Sequence, residues 1–126
     1  MDAKQIVQGY WQAMQTNDFY RASEWLSEDF CLDWPQSSER IVGRHNFALL
    51  NTAYPSTGKW HFQINSILAQ NQSVVTDVIV SDDSLTARAI TFHYVDSGMI
   101  YKQVEYWPEN YQAPPWRAQW VQQLKC

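Results

Sequence analysis

Four side chains of this sequence belong to types that move protons or hold a developing negative charge: Tyr10, Asp33, His93 and Glu105. Glu105 stands in the stretch QVEYW, among apolar and aromatic neighbours. Loss of water there would raise a carboxyl toward the range of a general acid or base. The plainer alternative is a carboxylate at a pocket mouth, paired with Arg44, Arg88 or Arg117. His93 is of the type that titrates near neutrality, yet a lone histidine near a strand end serves as readily as a hydrogen-bonded structural residue. Asp33 is followed by Trp34, and in an extended chain successive side chains point to opposite sides, so one of the two faces away from any cavity. Trp34 is the one expected inward. Tyr10 offers a hydroxyl from a helix face, either to a ligand oxygen or as the hydrogen-bonded tip of a core ring.

Other chemistries find no support. His45, His61 and His93 show no HxH or HxxxH spacing and no CxxC accompanies them, so no metal site is expected. Four glycines form no phosphate-cradling loop, and no cofactor is expected: chemistry would rest on side chains alone. Cys31 reads as a small buried hydrophobe and Cys126 as an unpaired last residue, a poor basis for a disulfide framework. With no basic and apolar leader at MDAKQIVQGYWQAMQ, the expectation is a reducing, cytoplasmic setting. A formal charge of −4 argues against nucleic acid, and no apolar run nears the roughly 20 residues of a membrane helix.

The elements that must position these side chains follow from periodicity. Ile6, Val7, Tyr10, Trp11 and Met14 recur at helical spacing, predicting a helix over 2–16 capped by Asp2. A second helix is predicted over 19–27, an extended piece over 29–34 ending at Pro35, a polar turn over 36–39 and a short extended piece over 40–43. A third helix, over about 44–53, stops before Pro55. Residues 59–69, 73–81, 85–95 and 99–107 then read as antiparallel strands. Helices followed by strands give an α+β layout of one domain over residues 1–126, with three N-terminal helices packed on a curved antiparallel sheet. In the tail from Pro108, Trp116, Arg117 and Trp120 are expected to dock as a structural clamp.

Turn chemistry sets the strand faces. A three-residue loop with glycine at Val95–Met99 would pair Val95 with Met99, Thr91 with Gln103 and Ala89 with Glu105. The turn at 81–84 would pair Val80 with Leu85. Odd-numbered residues then share one face: Ala87, Ala89, Thr91, His93, Tyr101, Gln103, Glu105 and Trp107, joined by Thr76, Val78 and Val80. This mixed face suits a cavity. The other, with Ile90, Phe92, Tyr94, Ile100, Val104 and Tyr106, is too apolar to stay in water, and a second copy of the chain is its expected cover.

The segments IVQGYWQAMQTNDFYRASEWLSEDF, LDWPQSSERIVG and VEYWPENYQAPPWRAQWV resemble the nuclear-transport-factor-two-like, SnoaL-like superfamily, whose fold is a cone and which includes the ketosteroid isomerases. The resemblance covers essentially the whole chain and implies a pocket inside the cone. It places Tyr10 where the isomerases keep an oxyanion-stabilising tyrosine. It places Trp34 where they keep the proton-moving aspartate, with Asp33 one residue earlier, and Thr91 where they keep a second oxyanion donor. Gln103, Glu105 and Trp107 fall on pocket-lining positions. With both isomerase aspartates replaced, the expectation is a different use of the same pocket. Either it binds, and isomerises or cyclises, a small apolar carbonyl-containing or polyketide-like molecule through Tyr10 and Glu105, His93 or Asp33, or the chain is a non-catalytic binder or a protein-interaction module.

Overall fold

A computed structural model describes residues 1–124, so Cys126 lies outside the described residues. The first helix, α1 (Ala3–Gln15), opens with a capping box in which Asp2 accepts from the Gln5 N–H and the Gln5 side chain accepts from the Asp2 N–H. Its buried stripe is the one the periodicity predicts: Ile6, Val7, Tyr10, Trp11 and Met14. Asn17, in the left-handed region at φ 62°, ends the run. Its amide bonds both the N–H and the carbonyl of Trp60, tying this turn to the strand that starts at His61.

The second helix, α2 (Phe19–Ser23), is shorter than predicted. Leu26 already belongs to strand β1 (Leu26–Trp34), pairing with Ile100, while the Ile100 N–H donates to the Trp25 carbonyl. Tertiary pairing overrides helical periodicity there. The Trp25 ring lies flat against Gly9, where a Cβ would overlap it. Gly9→Ala is therefore expected to destabilise the protein by about 1–3 kcal/mol, although alanine gains up to about 1 kcal/mol of helix propensity. Urea unfolding of the variant checks this, and a rise in stability would refute the close packing.

Strand β2 (Glu39–Val42) and helix α3 (Arg44–Ala53) follow, then β3 (His61–Gln70), β4 (Ser73–Ser81), β5 (Thr86–Asp96) and β6 (Met99–Tyr106). The strands form one sheet in the order β2-β1-β6-β5-β4-β3. The sheet is not wholly antiparallel, because β1 runs parallel to β6. Its inner face wraps the helices, and the core is built from Tyr10, Trp11, Phe30, Phe47, Val74 and Val78 among others.

Both hairpins slip by two residues from the predicted pairing. The β5–β6 turn has two residues, Ser97 and Gly98, both at positive φ, with Asp96 opposite Met99. A bulge then inserts Tyr101, so that His93 faces Gln103 and Thr91 faces Glu105. The β4–β5 turn puts Ser81 opposite Thr86 and Val80 opposite Ala87. Asp82 closes that turn by accepting from the N–H groups of Thr57, Ser84 and Leu85, which hold its carboxyl at about 2. A slip of two keeps the side chains beyond the bulge, and those of β4 and β5, on their predicted faces. Between turn and bulge the parity reverses: Ile100, expected outside, is fully buried, and Tyr101, expected inside, is exposed.

The outer face carries exposed Leu68, Phe92, Tyr101 and Tyr106, crossed by an Asp77–Arg88 ion pair. The tail forms a 3-10 turn at Pro115–Trp120 but does not clamp the body: Trp116 and Trp120 are each 71% exposed and none of the turn's residues is buried. Among the described residues, no helix is long and apolar enough to cross a membrane.

Candidate active site inside the cone

The inner face of the sheet begins fully buried at Leu26, Val95 and Ile100 and opens toward Trp34 and Trp107, which are half-buried. Glu105 sits at that open end, 6% exposed. Its Oε1 accepts from the Trp34 indole at 3.0 Å, its Oε2 accepts from the Thr91 hydroxyl at 2.6 Å, and Trp107 also donates to it. Among the described residues no arginine pairs with the carboxylate: Arg88 pairs with Asp77 and Arg44 bonds the Leu26 carbonyl. Burial raises the Glu105 carboxyl above its ordinary value, and the three donors pull it back only in part.

Gln36, read in the sequence as part of a polar turn, holds this end together. Its side chain accepts from the Trp107 N–H at 2.6 Å and donates to the Trp107 carbonyl at 3.2 Å. Only long-range contact reveals that role, since 71 residues separate the two.

Deeper in the cone lie Tyr10, His93 and Gln103, all essentially without exposure. His93 Nε2 is 2.8 Å from the Thr76 hydroxyl, which also accepts from the Trp11 indole at 3.3 Å. His93 Nδ1 is 2.9 Å from the Gln103 amide nitrogen. Burial pushes the imidazole down to about 3, so it is neutral at physiological pH. The Tyr10 ring packs edge-on against Trp11 and His93. Its hydroxyl is raised well above the ordinary phenol, first by burial and then by the nearby Glu105 charge, while a hydrogen bond from Gln103 works the other way. Tyr10 is thus a neutral donor that does not ionise.

The structure brings Tyr10, His93, Gln103, Thr91, Trp34, Glu105 and Trp107 into one interior. It leaves Asp33 out. Beside Trp34 on β1, Asp33 pairs across the strands with Arg40 and Lys102 on the outer surface, and the Arg40 hydrogen bond first, against a small burial effect, holds its carboxyl low. A low, ion-paired carboxyl on the far face cannot serve this interior. Thr76 and Trp11 complete the buried network and were legible only as inward-facing residues.

Outside the cone, two open surface hollows flank the β5–β6 turn. One of about 510 Å³ is lined by Gly9, Arg21, Glu24, Trp25 and Gly98, and one of about 450 Å³ by Ser27, Asp29, Val95 and Tyr101. Neither reaches Glu105.

No family model and no curated protein matches the chain. Solved structures do. A candidate ketosteroid isomerase from Kribbella flavida shares 26% identity at a TM-score of 0.89, over 98% of this chain and 90% of that one. A nuclear-transport-factor-2-like protein of unknown function from Burkholderia xenovorans shares 28% identity at a TM-score of 0.80, over 98% and 95%. A candidate SnoaL-like polyketide cyclase from Shewanella denitrificans matches at 15% identity and a TM-score of 0.70, over 84% and 90%, a likeness of fold alone. With the six-stranded sheet wrapped on its helices and two near-full-length structural matches, the chain has the cone fold of the nuclear-transport-factor-two-like and ketosteroid-isomerase-like proteins it resembles.

Proposed function

We propose that the protein binds a small, largely apolar carbonyl compound at the open end of the cone and moves a proton on it. One observation carries this reading: a buried carboxyl with a raised pKa, Glu105, lies between two indoles and shares its interior with a neutral tyrosine donor. Chemically the two fit α-proton abstraction. Glu105 takes the proton from carbon, the electron pair moves to the carbonyl oxygen, Tyr10 donates a hydrogen bond to that oxygen, and Glu105 returns the proton. The names of the structural relatives, an isomerase and a cyclase, accord with a carbonyl guest.

Cyclohexanone in deuterated water is a simple probe. The protein is expected to speed exchange of its α-hydrogens over buffer, read by proton NMR, and to gain thermal stability at saturating ketone. Stabilisation without exchange sinks the catalytic step and leaves a binder. Absence of both exchange and stabilisation overturns the binding reading as well.

The outer face supports a second element of function. We propose that it pairs with a second copy, through the sheet and the tail together. The same chain exposes Phe92, Tyr101 and Tyr106 on that face and Tyr111, Trp116, Trp120 and Leu124 on the tail leaving β6. Pro108, Pro114 and Pro115 stiffen the tail, and it does not fold back over its own sheet. A two-fold axis would satisfy both apolar surfaces twice. Sedimentation of the whole protein is expected to give a dimer, and the Trp116→Ser, Trp120→Ser double variant to weaken it at least tenfold. A monomer at 100 times the assay concentration would refute this.

A further inference from the structure

Gln103 Oε1 is, among the described residues, the one buried side-chain oxygen or nitrogen without a hydrogen-bond partner. Leaving a buried acceptor unmet costs more than an average hydrogen bond gains, so such an atom calls for an explanation. Turning the amide over does not supply one. The nitrogen already has acceptors in His93 Nδ1 and the Tyr10 hydroxyl, and exchanging the two ends would point two N–H groups at the place where no partner stands. The orientation shown leaves one acceptor unmet, against two N–H groups in the exchanged one, and it is the orientation on which the proposal below is built. With Nδ1 accepting from Gln103, the single proton of the neutral imidazole sits on Nε2 and is donated to the Thr76 hydroxyl.

We propose that His93 is a positioning residue rather than an acid–base group, and that it holds Gln103 so that two unused groups stand side by side: the Tyr10 O–H as donor and the Gln103 carbonyl as acceptor. One amide N–H is anchored on His93 and the other directs the Tyr10 oxygen, which leaves the Tyr10 proton for a guest. Gln103 Oε1, on the same amide, takes a hydrogen from that guest. The recognised class is then narrower than a simple ketone. It is an uncharged molecule with an acceptor oxygen and a neighbouring hydroxyl, such as an α-hydroxy ketone or the enol of a dicarbonyl. This rests on the binding reading proposed above, except for the histidine tautomer, which stands without any ligand.

The test has two arms. Long-range proton–nitrogen NMR of the ligand-free protein is expected to show His93 protonated at Nε2 alone, with the same pattern from pH 8 to pH 5. A proton on Nδ1, or titration in that range, overturns the positioning role. Cyclohexanone and 2-hydroxycyclohexanone are then titrated separately, following the Gln103 side-chain amide signals. The hydroxy ketone is expected to bind about tenfold more tightly. Gln103→Leu, checked for folding by its amide spectrum, is expected to erase that preference while Gln103→Asn keeps part of it. Equal affinity for the two ketones in the unaltered protein overturns the guest class. Binding of neither, with the Nε2 tautomer seen, defeats the binding reading and the guest class but leaves the positioning of Gln103 established.

Discussion

Glu105→Gln is expected to lower protein-catalysed α-hydrogen exchange of cyclohexanone by about 10²–10⁴-fold, the range that one positioned acid–base group supplies. The variant keeps the volume of the side chain. Its amide oxygen can accept from the Trp34 indole as Oε1 does, and its nitrogen can donate to the Thr91 hydroxyl, which then turns its own proton elsewhere. Loss of exchange with little loss of folding would therefore trace to the carboxylate itself. Tyr10→Phe is a weaker change, since it removes one donor from the developing enolate and leaves the base in place. Exchange undiminished in Glu105→Gln would end the assignment of Glu105 as the base.

A second large effect concerns acid. His93 is held down to about 3 by burial, whereas an unfolded histidine titrates near 6.5. Between those values the unfolded chain binds a proton that the native state refuses. The stability tied to His93 is thus complete above about pH 6.5 and drains away as pH falls, by about 1.4 kcal/mol per unit. Glu105 acts in the opposite sense. Its folded value is raised, so its contribution is present below its ordinary value of 4.5 and is lost as pH rises through the folded value. The two slopes offset each other across the mildly acidic range. In the Glu105→Gln background only the histidine slope remains, and unfolding free energy is expected to fall by about 2 kcal/mol from pH 6.5 to pH 4.5. Urea melts at the two pH values measure it, and equal midpoints would show that His93 is not buried neutral.

Faces were easier to read in this sequence than partners. The alternation of β5 and β6 placed Thr91, His93, Gln103 and Glu105 together, because a buried face demands one parity whatever the register. Their cross-strand neighbours were misplaced by two residues. Turn length and a bulge decide register, and neither leaves a strong local signal at Ser97–Tyr101 or Asp82–Leu85. Asp33 and Trp34 illustrate the same limit: alternation says that one of them faces inward, and the choice of Trp34 became certain only with the indole bonded to Glu105. The short α2 lost its last turn to a parallel pairing with β6, a contact over more than 70 residues that no local pattern encodes. The tail failed as a prediction because tryptophans promise burial without naming the surface that provides it.

The bulge at Tyr101 also bears on how this chain tolerates gain and loss of residues. On the turn side of it, even-numbered Ile100 points inward, and beyond it odd-numbered Gln103 and Glu105 do. One surplus residue reconciles the two phases. A single deletion between Gly98 and Gln103 would leave the strand paired and regular, and so cost little in backbone hydrogen bonds. It would also leave Glu105 inside and Tyr106 outside, because the pairs beyond the bulge, His93 with Gln103 and Thr91 with Glu105, already continue the alternation that Val95 and Ile100 begin. The bulge is thus a place where the strand can lose one residue without changing which side chains face the interior. A residue gained or lost elsewhere in β6, between Gln103 and Glu105, would instead put the glutamate on the opposite face.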